Sequence, residues 1–457
     1  MREIGLIKAL ALTRRAGKMT PEERAALRRR RLEALVAHAR ANSPYYAERC
    51  AGLGADFALT DLPAVNKVEL MARFDDWTAD RAVTLARVRT FMEDKNNIGR
   101  MLDGKYLVFT TSGSTGHPAV IIWDKTAMNI SSALSVLRSY ARREDMAAFL
   151  RKGKRSASLF ADGGFYLGCG SIRYQLHKMP YKKGQIMNID VRTPMARAVE
   201  RLNTFRPAML GGYPSALELL AEEQEAGRLH IAPAVVMTGG ELLRPEVRER
   251  LGAAFGGYVQ TNYSCTEGGT VAHECRNRHF HINDEWIIVE PVDSAGRAVP
   301  DGVQSDKLLL TNLASFAQPI IRYEVTDRVI LHREPCGCGC TAPWLELEGR
   351  TDDTLTFSGG IRAAPLGLYA LLKEIPGVRR FQLVQRERDV LELRLLAEDR
   401  AAAFEMARRE LGAYLKSLGA DVRIVLGEDL PRTHPESGKF RHIVSLGQGR
   451  GPAAQKL

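Results

Sequence analysis

The sequence has no apolar run long enough to cross a lipid bilayer. A membrane-spanning helix needs about 20 consecutive apolar residues, and no stretch of this 457-residue chain approaches that length. The first residues, Met1-Arg2-Glu3, lack the basic segment of a secretory signal, and Lys8 interrupts the apolar stretch that follows. We therefore expect a cytoplasmic protein with no membrane partner.

Recognisable nucleic-acid-binding motifs are also absent. The net charge of +11, from 65 Lys and Arg against 54 Asp and Glu, suits anionic ligands. However, no RNP, KH or zinc-finger pattern places basic residues among aromatic ones, and the densest basic run, 28–31, is typical of a solvated helix face. We expect no nucleic-acid partner. A basic, zinc-stabilised nucleic-acid-binding protein is the alternative from another functional class, and it would bind DNA or RNA in a salt-sensitive way without ATP turnover.

The cysteine count is seven, an odd number that does not suggest a complete set of disulfides. Cys50, Cys169 and Cys265 stand apart and need be no more than small buried residues. A second group contains four cysteines and two histidines: Cys275, His279, His281, Cys336, Cys338 and Cys340. In a cytosolic chain such a group indicates a metal site before a disulfide, with ordinary reduced thiols as the alternative.

The most distinctive stretch is 109–118, FTTSGSTGHP, which follows the apolar run 106–109. Glycines let a backbone approach a phosphate closely, and the hydroxyl side chains add hydrogen-bond donors. No Gly-Lys-Ser/Thr follows, so this is not a Walker A loop. Taken alone, it is equally compatible with a polar surface turn.

The middle of the chain alternates between short apolar runs, glycine-rich loops and helical segments. This alternation predicts a mostly parallel α/β sheet, and ligands of such sheets bind beyond the carboxyl ends of the strands. Glycine-rich loops follow residues 160, 210, 237 and 260. Capping boxes from Thr20 to Glu23 and from Ser215 to Glu218 predict two helix starts. From Trp286 the strands follow closely without helices, which favours antiparallel pairing.

The change of pattern near residue 349 predicts a domain boundary. We expect a large domain over 1–349, with a β-rich segment over about 270–345 that carries the cysteine group. A small α+β domain is expected over 350–446, and residues 447–457 form a tail that we expect to be disordered.

Five motifs in a fixed order resemble those of the adenylate-forming enzymes, which include acyl- and aryl-CoA ligases, adenylation domains and luciferases. They are TTSGSTGHP, NYSCTEGG, RYEVTDR, GRTDD and ESGKFR, and they span residues 110–441. Three further stretches resemble the phenylacetate–CoA ligase branch: LVAHARANSPYY at 35–46, LPAVNK at 62–67 and GYPS at 212–215. The resemblance implies an α/β fold with a large multi-sheet N-terminal adenylate-forming domain and a small α+β C-terminal lid domain.

The resemblance also implies which residues bind ATP. The implied nucleotide contacts are Thr111, Ser112, Gly113, Ser114, Thr115 and Gly116 at the phosphates, Gly239, Gly240, Glu241 and Tyr263 around the adenine, Asp327 at the ribose, and Arg350. Thr266 would reach the α-phosphate and Glu267 would hold Mg²⁺. Lys439 would reach from the lid toward the acyl carboxylate and the α-phosphate, with Asp352 as the hinge of the lid.

The implied reaction is the ATP-dependent, AMP-forming activation of a carboxylic acid, which we expect to be aromatic, followed by transfer to a thiol, which we expect to be coenzyme A. Adenylation without CoA, with an acyl carrier protein or another nucleophile as acceptor, stays open, as does a homodimer. Some phenylacetate–CoA ligase-like proteins hold a structural zinc near the cysteine group. The spacing here favours Cys275, His281, Cys336 and Cys338 as its ligands, with His279 and Cys340 as rivals.

We expect Lys439→Ala to lower the rate of adenylate formation about 100-fold or more, because it removes a preorganised charge contact. Thioester formation from a supplied acyl-adenylate should be largely spared. The measurement is the rate of each half-reaction, and an equal loss in both would contradict the assignment of Lys439 to the lid.

Overall fold

The computed structural model describes residues 3–111, 119–347, 355–363, 365–432 and 442–446. Within these ranges the α-helices are α1 (Leu6–Ala16), α2 (Pro21–Asn42), α3 (Pro44–Arg49), α4 (Lys67–Ala72), α5 (Phe74–Trp77), α6 (Leu85–Glu93), α7 (Lys125–Arg138), α8 (Arg143–Arg151), α9 (Leu167–Lys178), α10 (Met195–Phe205), α11 (Pro214–Glu225), α12 (Pro245–Phe255), α13 (Pro365–Lys373) and α14 (Arg400–Ser417).

The strands in the same ranges are β1 (Met101–Leu102), β2 (Tyr106–Thr110), β3 (Val120–Asp124), β4 (Ser156–Phe160), β5 (Ile186–Asp190), β6 (Met209–Gly212), β7 (Val235–Thr238), β8 (Tyr258–Cys265), β9 (Gly269–Glu274), β10 (Phe280–Ile282), β11 (Ile287–Val292), β12 (Lys307–Asn312), β13 (Ile320–Val325), β14 (Val329–His332), β15 (Trp344–Leu347), β16 (Leu355–Thr356), β17 (Arg362–Ala363), β18 (Val378–Glu387), β19 (Val390–Ala397), β20 (Arg423–Leu426) and β21 (Ile443–Val444).

The central element is a nine-stranded sheet in the order β14-β15-β10-β9-β8-β7-β6-β4-β5. Pairing is parallel from β5 through β4, β6 and β7 to β8, as the alternating pattern predicts. The remaining strands, β9, β10, β15 and β14, extend it by antiparallel pairing. This extension was not predicted, because the partners of β10 and β15 are far apart in the sequence.

Two smaller antiparallel sheets pack with the N-terminal helices. They have the orders β1-β2-β3 and β11-β12-β13, and they share one large apolar core with α2, α3 and α7. The antiparallel pairing expected after Trp286 is therefore confirmed. A second core lies between the parallel strands and α10, α11 and α12.

The C-terminal part has its own apolar core, formed by residues between Leu355 and Ile443. Its four-stranded sheet has the order β20-β19-β18-β21, with α13 and α14 packed against it. The mixed α/β architecture, a large multi-sheet N-terminal part with a smaller α+β C-terminal part, confirms the predicted fold class. The predicted boundary at 349/350 and the tail 447–457 lie outside the described residues.

Local signals at helix starts were right in one case and wrong in another. Helix α2 begins with the predicted capping box, in which the Glu23 amide donates to Thr20 Oγ1 at 3.2 Å and the Thr20 amide donates to Glu23 Oε2 at 2.9 Å. The capping box predicted from Ser215 is wrong, because α11 begins at Pro214 with Tyr213 as its N-cap. Proline suits the first helical position, because it already has the backbone φ of a helix and its missing N–H would have had no carbonyl partner within the helix.

The interpretation of residues 28–31 as a solvated helix face is also wrong for most of the run. The Arg31 guanidinium lies 3.2 Å from the centre of the Trp286 ring, and burial lowers the pKa of Arg31 to about 10. Arg28 pairs with the buried Asp284 at 3.2 Å, and Arg30 is exposed. A run of basic residues does not reveal acidic and aromatic partners that lie more than 250 positions away.

No helix in the described ranges is both long enough and apolar enough to span a membrane.

Gly99 lets the turn before β1 approach α9 closely. Its φ is +73°, and a Cβ added there would lie 2.6 Å from Arg173 Cβ and from the Tyr174 amide nitrogen. We expect Gly99→Ala to destabilise the protein by about 3 kcal/mol, from the unfavourable φ and the backbone clash together. The melting temperature measures this change.

Gly104→Ala is the matched control, since Gly104 has a φ of +67° with no atom within 4 Å of the added Cβ. It should cost only about 1 kcal/mol. Equal melting temperatures for the two variants would show that the turn can move away from α9.

Candidate functional site

The carboxyl ends of β4, β6, β7 and β8 meet at one edge of the nine-stranded sheet, because these strands are parallel neighbours. Gly239, Gly240 and Glu241 follow β7 at this edge, and Thr266 and Glu267 follow β8. Tyr263 lies within β8. Sequence-distant residues assigned to one nucleotide therefore converge in the fold.

The base of the proposed phosphate loop is closed by Thr111 and Ala119. The Thr111 amide donates to the Ala119 carbonyl oxygen at 3.0 Å, and the Ala119 amide donates to Thr111 Oγ1 at 2.9 Å. The Thr110 amide donates to the Phe165 carbonyl oxygen at 2.7 Å, which ties β2 to the loop after β4. The loop residues Ser112, Gly113, Ser114, Thr115 and Gly116 lie outside the described residues.

Close packing after β7 requires glycine at position 240. The Gly239 amide donates to the Gly212 carbonyl oxygen at 3.2 Å. Gly240 has a φ of +80°, and a Cβ there would lie 2.9 Å from Tyr213 Cε1. The Tyr213 ring is itself held edge-on against Phe160, with ring centres 5.0 Å apart. A larger residue at 240 would displace this aromatic pair from the edge of the sheet.

The turn after β8 is held by hydrogen bonds to its main chain. Trp123 Nε1 donates to the Thr266 carbonyl oxygen at 3.2 Å, and Asn312 Nδ2 donates to the Glu267 carbonyl oxygen at 2.9 Å. The turn backbone is therefore anchored from β3 and β12. Because the backbone of the turn is fixed, the Cα–Cβ bonds of Thr266 and Glu267 have defined directions.

The Glu267 carboxylate is largely buried, and its negative charge acts on the Tyr323 hydroxyl. Burial, followed by the charge of Glu267, raises the pKa of Tyr323 far above its usual value. Tyr323 therefore stays a donor at any physiological pH. The sequence analysis gave Tyr323 no role, although it lies inside one of the quoted motifs.

The Asp327 carboxylate is held by a hydrogen bond from Tyr263. The Tyr263 hydroxyl donates to Asp327 Oδ2 at 2.8 Å, and Tyr263 is 7% exposed. The resemblance assigned Tyr263 to the adenine, and the structure shows that its hydroxyl contacts the carboxylate assigned to the ribose. Burial, with the charges of Glu267 and Asp327, raises the pKa of Cys265 well above its usual value, so that thiol stays neutral.

The loop after β4 carries an ion-pair cluster that local motifs did not reveal. Asp162 Oδ1 accepts from Arg173 Nη2 and from Cys169 Sγ, both at 2.8 Å. Arg192 Nη2 donates to the Asp162 carbonyl oxygen at 2.6 Å and pairs with Asp190. Arg192 lies 30 positions from Asp162, so only the parallel pairing of β4 and β5 brings them together.

The C-terminal part contacts the same edge of the sheet. Arg362 Nη2 pairs with Glu218 Oε2 on α11 at 2.9 Å, and the Lys373 ammonium lies 4.7 Å from the centre of the Tyr166 ring. The positions predicted for the lysine, the hinge and one nucleotide contact, Lys439, Asp352 and Arg350, lie outside the described residues.

The four favoured metal ligands converge in three dimensions. The ligand atoms of Cys275, His281, Cys336 and Cys338 all lie within 4.8 Å of one another. Cys275 Sγ lies 3.9 Å from Cys336 Sγ, and His281 Nε2 lies 2.9 Å and 3.3 Å from the sulfurs of Cys336 and Cys338. Two sulfurs that are each about 2.3 Å from a tetrahedral zinc lie about 3.8 Å apart, so the donor set fits this ion.

The orientation of His281 also fits a metal ligand. Its Nδ1 lies 2.8 Å from the Ala342 carbonyl oxygen, to which it donates, and this leaves Nε2 directed at the sulfurs. The Cys340 amide donates to Cys338 Sγ at 3.3 Å. Of the two rivals, His279 stacks on Trp344 with ring centres 3.8 Å apart, and neither His279 nor Cys340 belongs to the convergent group.

Comparisons with known proteins agree with this architecture. The profile of the family described as AMP-binding enzyme matches residues 25–306, which is more than half of the chain. Phenylacetate-coenzyme A ligase of Thermus thermophilus is 26% identical over 456 residues, covering 95% of each chain.

Two solved structures of 2-hydroxyisobutyryl-CoA ligase share the fold at 22% identity. The complex with 2-HIB-AMP and CoA in the thioesterification state has a TM-score of 0.60, and the complex with R3-HIB-AMP in the postadenylation state has a TM-score of 0.57. Both alignments cover 94% of this chain and 91% of the other. The resemblance inferred from the motifs is confirmed: this chain belongs to the AMP-binding enzyme family of adenylate-forming proteins.

Proposed function

We propose that this protein is an AMP-forming acid–CoA ligase. In the first half-reaction a carboxylate oxygen attacks the α-phosphorus of ATP, which forms an acyl-adenylate and releases pyrophosphate. In the second, the thiol of coenzyme A attacks the acyl carbon, AMP leaves, and a thioester forms. The observation that carries the proposal is that Asp327, whose Oδ2 accepts from the Tyr263 hydroxyl at 2.8 Å, lies beside the β8 segment that ends in Glu267, in a chain of this family.

The substrate chemistry explains why the site needs positive charge rather than a general base. A carboxylic acid is already ionised at neutral pH, since its pKa is about 4. The obstacle is the approach of two anions, which requires charge neutralisation and in-line positioning. Lys439 would supply one positive charge.

Glu267 would hold magnesium, which supplies further neutralisation of the phosphate charge when bound. Thr266 would hydrogen-bond the α-phosphate, and Asp327 would accept from the ribose hydroxyls. Residues 111–116 would surround the β- and γ-phosphates, with Arg350 as a further nucleotide contact. Gly239, Gly240 and Glu241 would bound the adenine beside Tyr263.

The acid is proposed to be aromatic and the acceptor to be coenzyme A, because the relatives in the comparison include a phenylacetate–CoA ligase and a ligase solved with CoA. A carrier-protein thiol is the remaining acceptor. The nucleic-acid-binding alternative is not favoured, because the family match covers the nucleotide-binding segments up to residue 306. A cluster with three reduced thiols suits the reducing cytoplasm.

We expect pyrophosphate release that depends on ATP, on magnesium and on one class of acid in a panel of aryl and short aliphatic acids. Release should continue for many turnovers only when CoA is present, because the adenylate otherwise remains bound. Multiple turnover with a carrier protein and not with CoA would reassign the acceptor. No pyrophosphate with any acid would contradict the proposed function.

We also propose that Cys275, His281, Cys336 and Cys338 hold a structural zinc ion. With four protein ligands no position is left for water, which is typical of structural rather than catalytic zinc. The ligands come from the end of the β9 segment, from β10 and from the connection between β14 and β15. An ion there would fix the antiparallel extension of the large sheet.

We expect purified protein to contain close to one zinc per chain, measured by elemental analysis. Cys336→Ser should lower the zinc content and the melting temperature, because metal binding to a folded site adds to folding free energy. Cys340→Ser is the matched control and should keep both. Loss of zinc in the control alone would show that Cys340, and not Cys336, is a ligand. Metal-free wild-type protein would show that the cysteines of this group are ordinary reduced thiols.

A further inference from the structure

We propose that Arg24 is a positioning residue of the zinc site. Its buried guanidinium, on helix α2, joins the two chain segments that carry the four metal ligands, and so holds these segments together before the ion arrives. The inference rests on the zinc ion proposed above. It adds a residue from the N-terminal helices that acts on the ion through the segments it binds.

The four ligands come from two segments that are far apart in the sequence. Cys275 and His281 belong to the segment that contains β10, and Cys336 and Cys338 belong to the connection between β14 and β15. Bringing such segments together costs conformational entropy. A contact that joins them in the metal-free protein therefore favours binding of the ion, because less order remains to be imposed by the metal.

The second segment is a loop with little conformational restriction of its own. Residues 336–340 read Cys-Gly-Cys-Gly-Cys, and the backbone φ is +74° at Gly337 and +93° at Gly339. Glycine adopts such angles readily, but it also has many other conformations available. The positions of the loop's sulfurs therefore depend on how the ends of the loop are held.

Arg24 binds both ligand-bearing segments at once. Its Nε donates to Asp284 Oδ1 at 3.1 Å, and Asp284 lies three residues after His281. Its Nη1 donates to Thr341 Oγ1 at 2.9 Å, and its Nη2 donates to the Thr341 carbonyl oxygen at 2.8 Å. Thr341 lies three residues after Cys338, so one side chain links the residues that follow both groups of ligands.

The segment that Arg24 holds also orients a ligand. His281 Nδ1 donates to the carbonyl oxygen of Ala342, the residue directly after Thr341, at 2.8 Å. The Ile282 amide donates to the Pro343 carbonyl oxygen at 2.9 Å. Partners of this kind fix the ring of a metal-binding histidine. By fixing Thr341, Arg24 helps to keep the carbonyl group that directs His281 Nε2 at the sulfurs.

The guanidinium is suited to this role because it is planar and rigidly placed. Arg24 is 4% exposed, and its Nη1 also donates to the Met19 carbonyl oxygen at 2.8 Å. Arginine presents five N–H donors in fixed directions, whereas lysine is a single point charge on a flexible stem. The buried Asp284 carboxylate pairs with the buried charge, which would otherwise be costly.

Other contacts join the same two segments and limit the effect of losing Arg24. Strand β10 pairs with β15, and Asn277 Nδ2 donates to the Cys336 carbonyl oxygen at 2.6 Å. Asn277 thus holds the start of the ligand loop, whereas Arg24 holds the residue that follows its end. Removal of Arg24 should loosen one end of the loop, so we expect zinc to bind more weakly and not to be lost altogether.

The competing explanation is that Arg24 only stabilises the packing of α2 on the rest of the large domain. The two explanations differ in what they predict for the folded protein. A purely structural arginine changes the melting temperature and leaves the affinity for zinc unchanged, whereas a positioning residue changes the affinity at temperatures where the protein is fully folded.

The first test measures the zinc dissociation constant of Arg24→Met by competition with a chromogenic chelator, at a temperature where the variant is folded. We expect zinc to bind about tenfold more weakly than in the wild type, the lower end of the effect of removing a partner that orients a metal ligand. The melting temperature of the zinc-free protein is measured alongside, which separates affinity from stability.

Arg28→Met is the matched control. Arg28 lies one helical turn after Arg24 on α2, and its Nη1 pairs with the same Asp284 carboxylate at 3.2 Å. The variant removes a charge from the same carboxylate without removing the two bonds to Thr341. It should leave the zinc dissociation constant within about twofold of the wild type, since a partly exposed ion pair contributes little.

Thr341→Val tests the same contact with little risk to folding. Thr341 is exposed, so the substitution should hardly change the melting temperature. It removes the acceptor of one of the two bonds from Arg24 to Thr341, and we expect zinc to bind about threefold more weakly. If Arg24→Met does not fold, this variant decides the question, and an unchanged dissociation constant would overturn the role of Arg24.

The outcomes also separate this inference from the zinc site itself. Wild-type protein that binds no zinc would exclude both. If the wild type binds zinc but Arg24→Met binds it as tightly as Arg28→Met does, the positioning role is wrong and the zinc site stands. Neither result bears on the proposed ligase reaction, which is tested by pyrophosphate release.

Discussion

Parallel pairing of β4, β6, β7 and β8 is the constraint on which the site depends. Parallel strands end at the same edge, so every loop that follows them is delivered to one place. The C-terminal part contacts this edge through Arg362 and Lys373. The glycines after β7 and the acidic turn after β8 therefore lie close together as a direct result of the strand pairing.

The second requirement is to keep anionic side chains in place beside an anionic ligand. Carboxylates near phosphate are repelled unless a metal ion or hydrogen-bond donors hold them. For Asp327 the donor is the phenolic hydroxyl of Tyr263, which adds no charge of its own. Tyr263 can therefore hold Asp327 without neutralising the charge that a ribose hydroxyl would recognise.

The cysteine and histidine cluster lies away from the nucleotide site, in the antiparallel extension of the large sheet, and bears on the stability of that extension. Strands β10 and β15 are short, with three and four residues. Short pairs of strands gain little from their own hydrogen bonds. A zinc ion bound by the four converging ligand atoms would cross-link these strands.

The sequence by itself determined the order of the motifs, the alternation of strands and helices, the fold class and the start of α2, because these depend on neighbouring residues and on repeated short patterns. Six candidate metal ligands were visible in it, but the convergence of four, with His279 instead on Trp344, came from the tertiary structure. The burial of Arg31 on Trp286 and the hydrogen bond from Tyr263 to Asp327 were decided in the same way. Their partners lie about 60 to 250 residues away, and only chain packing fixes which distant side chains share a buried space.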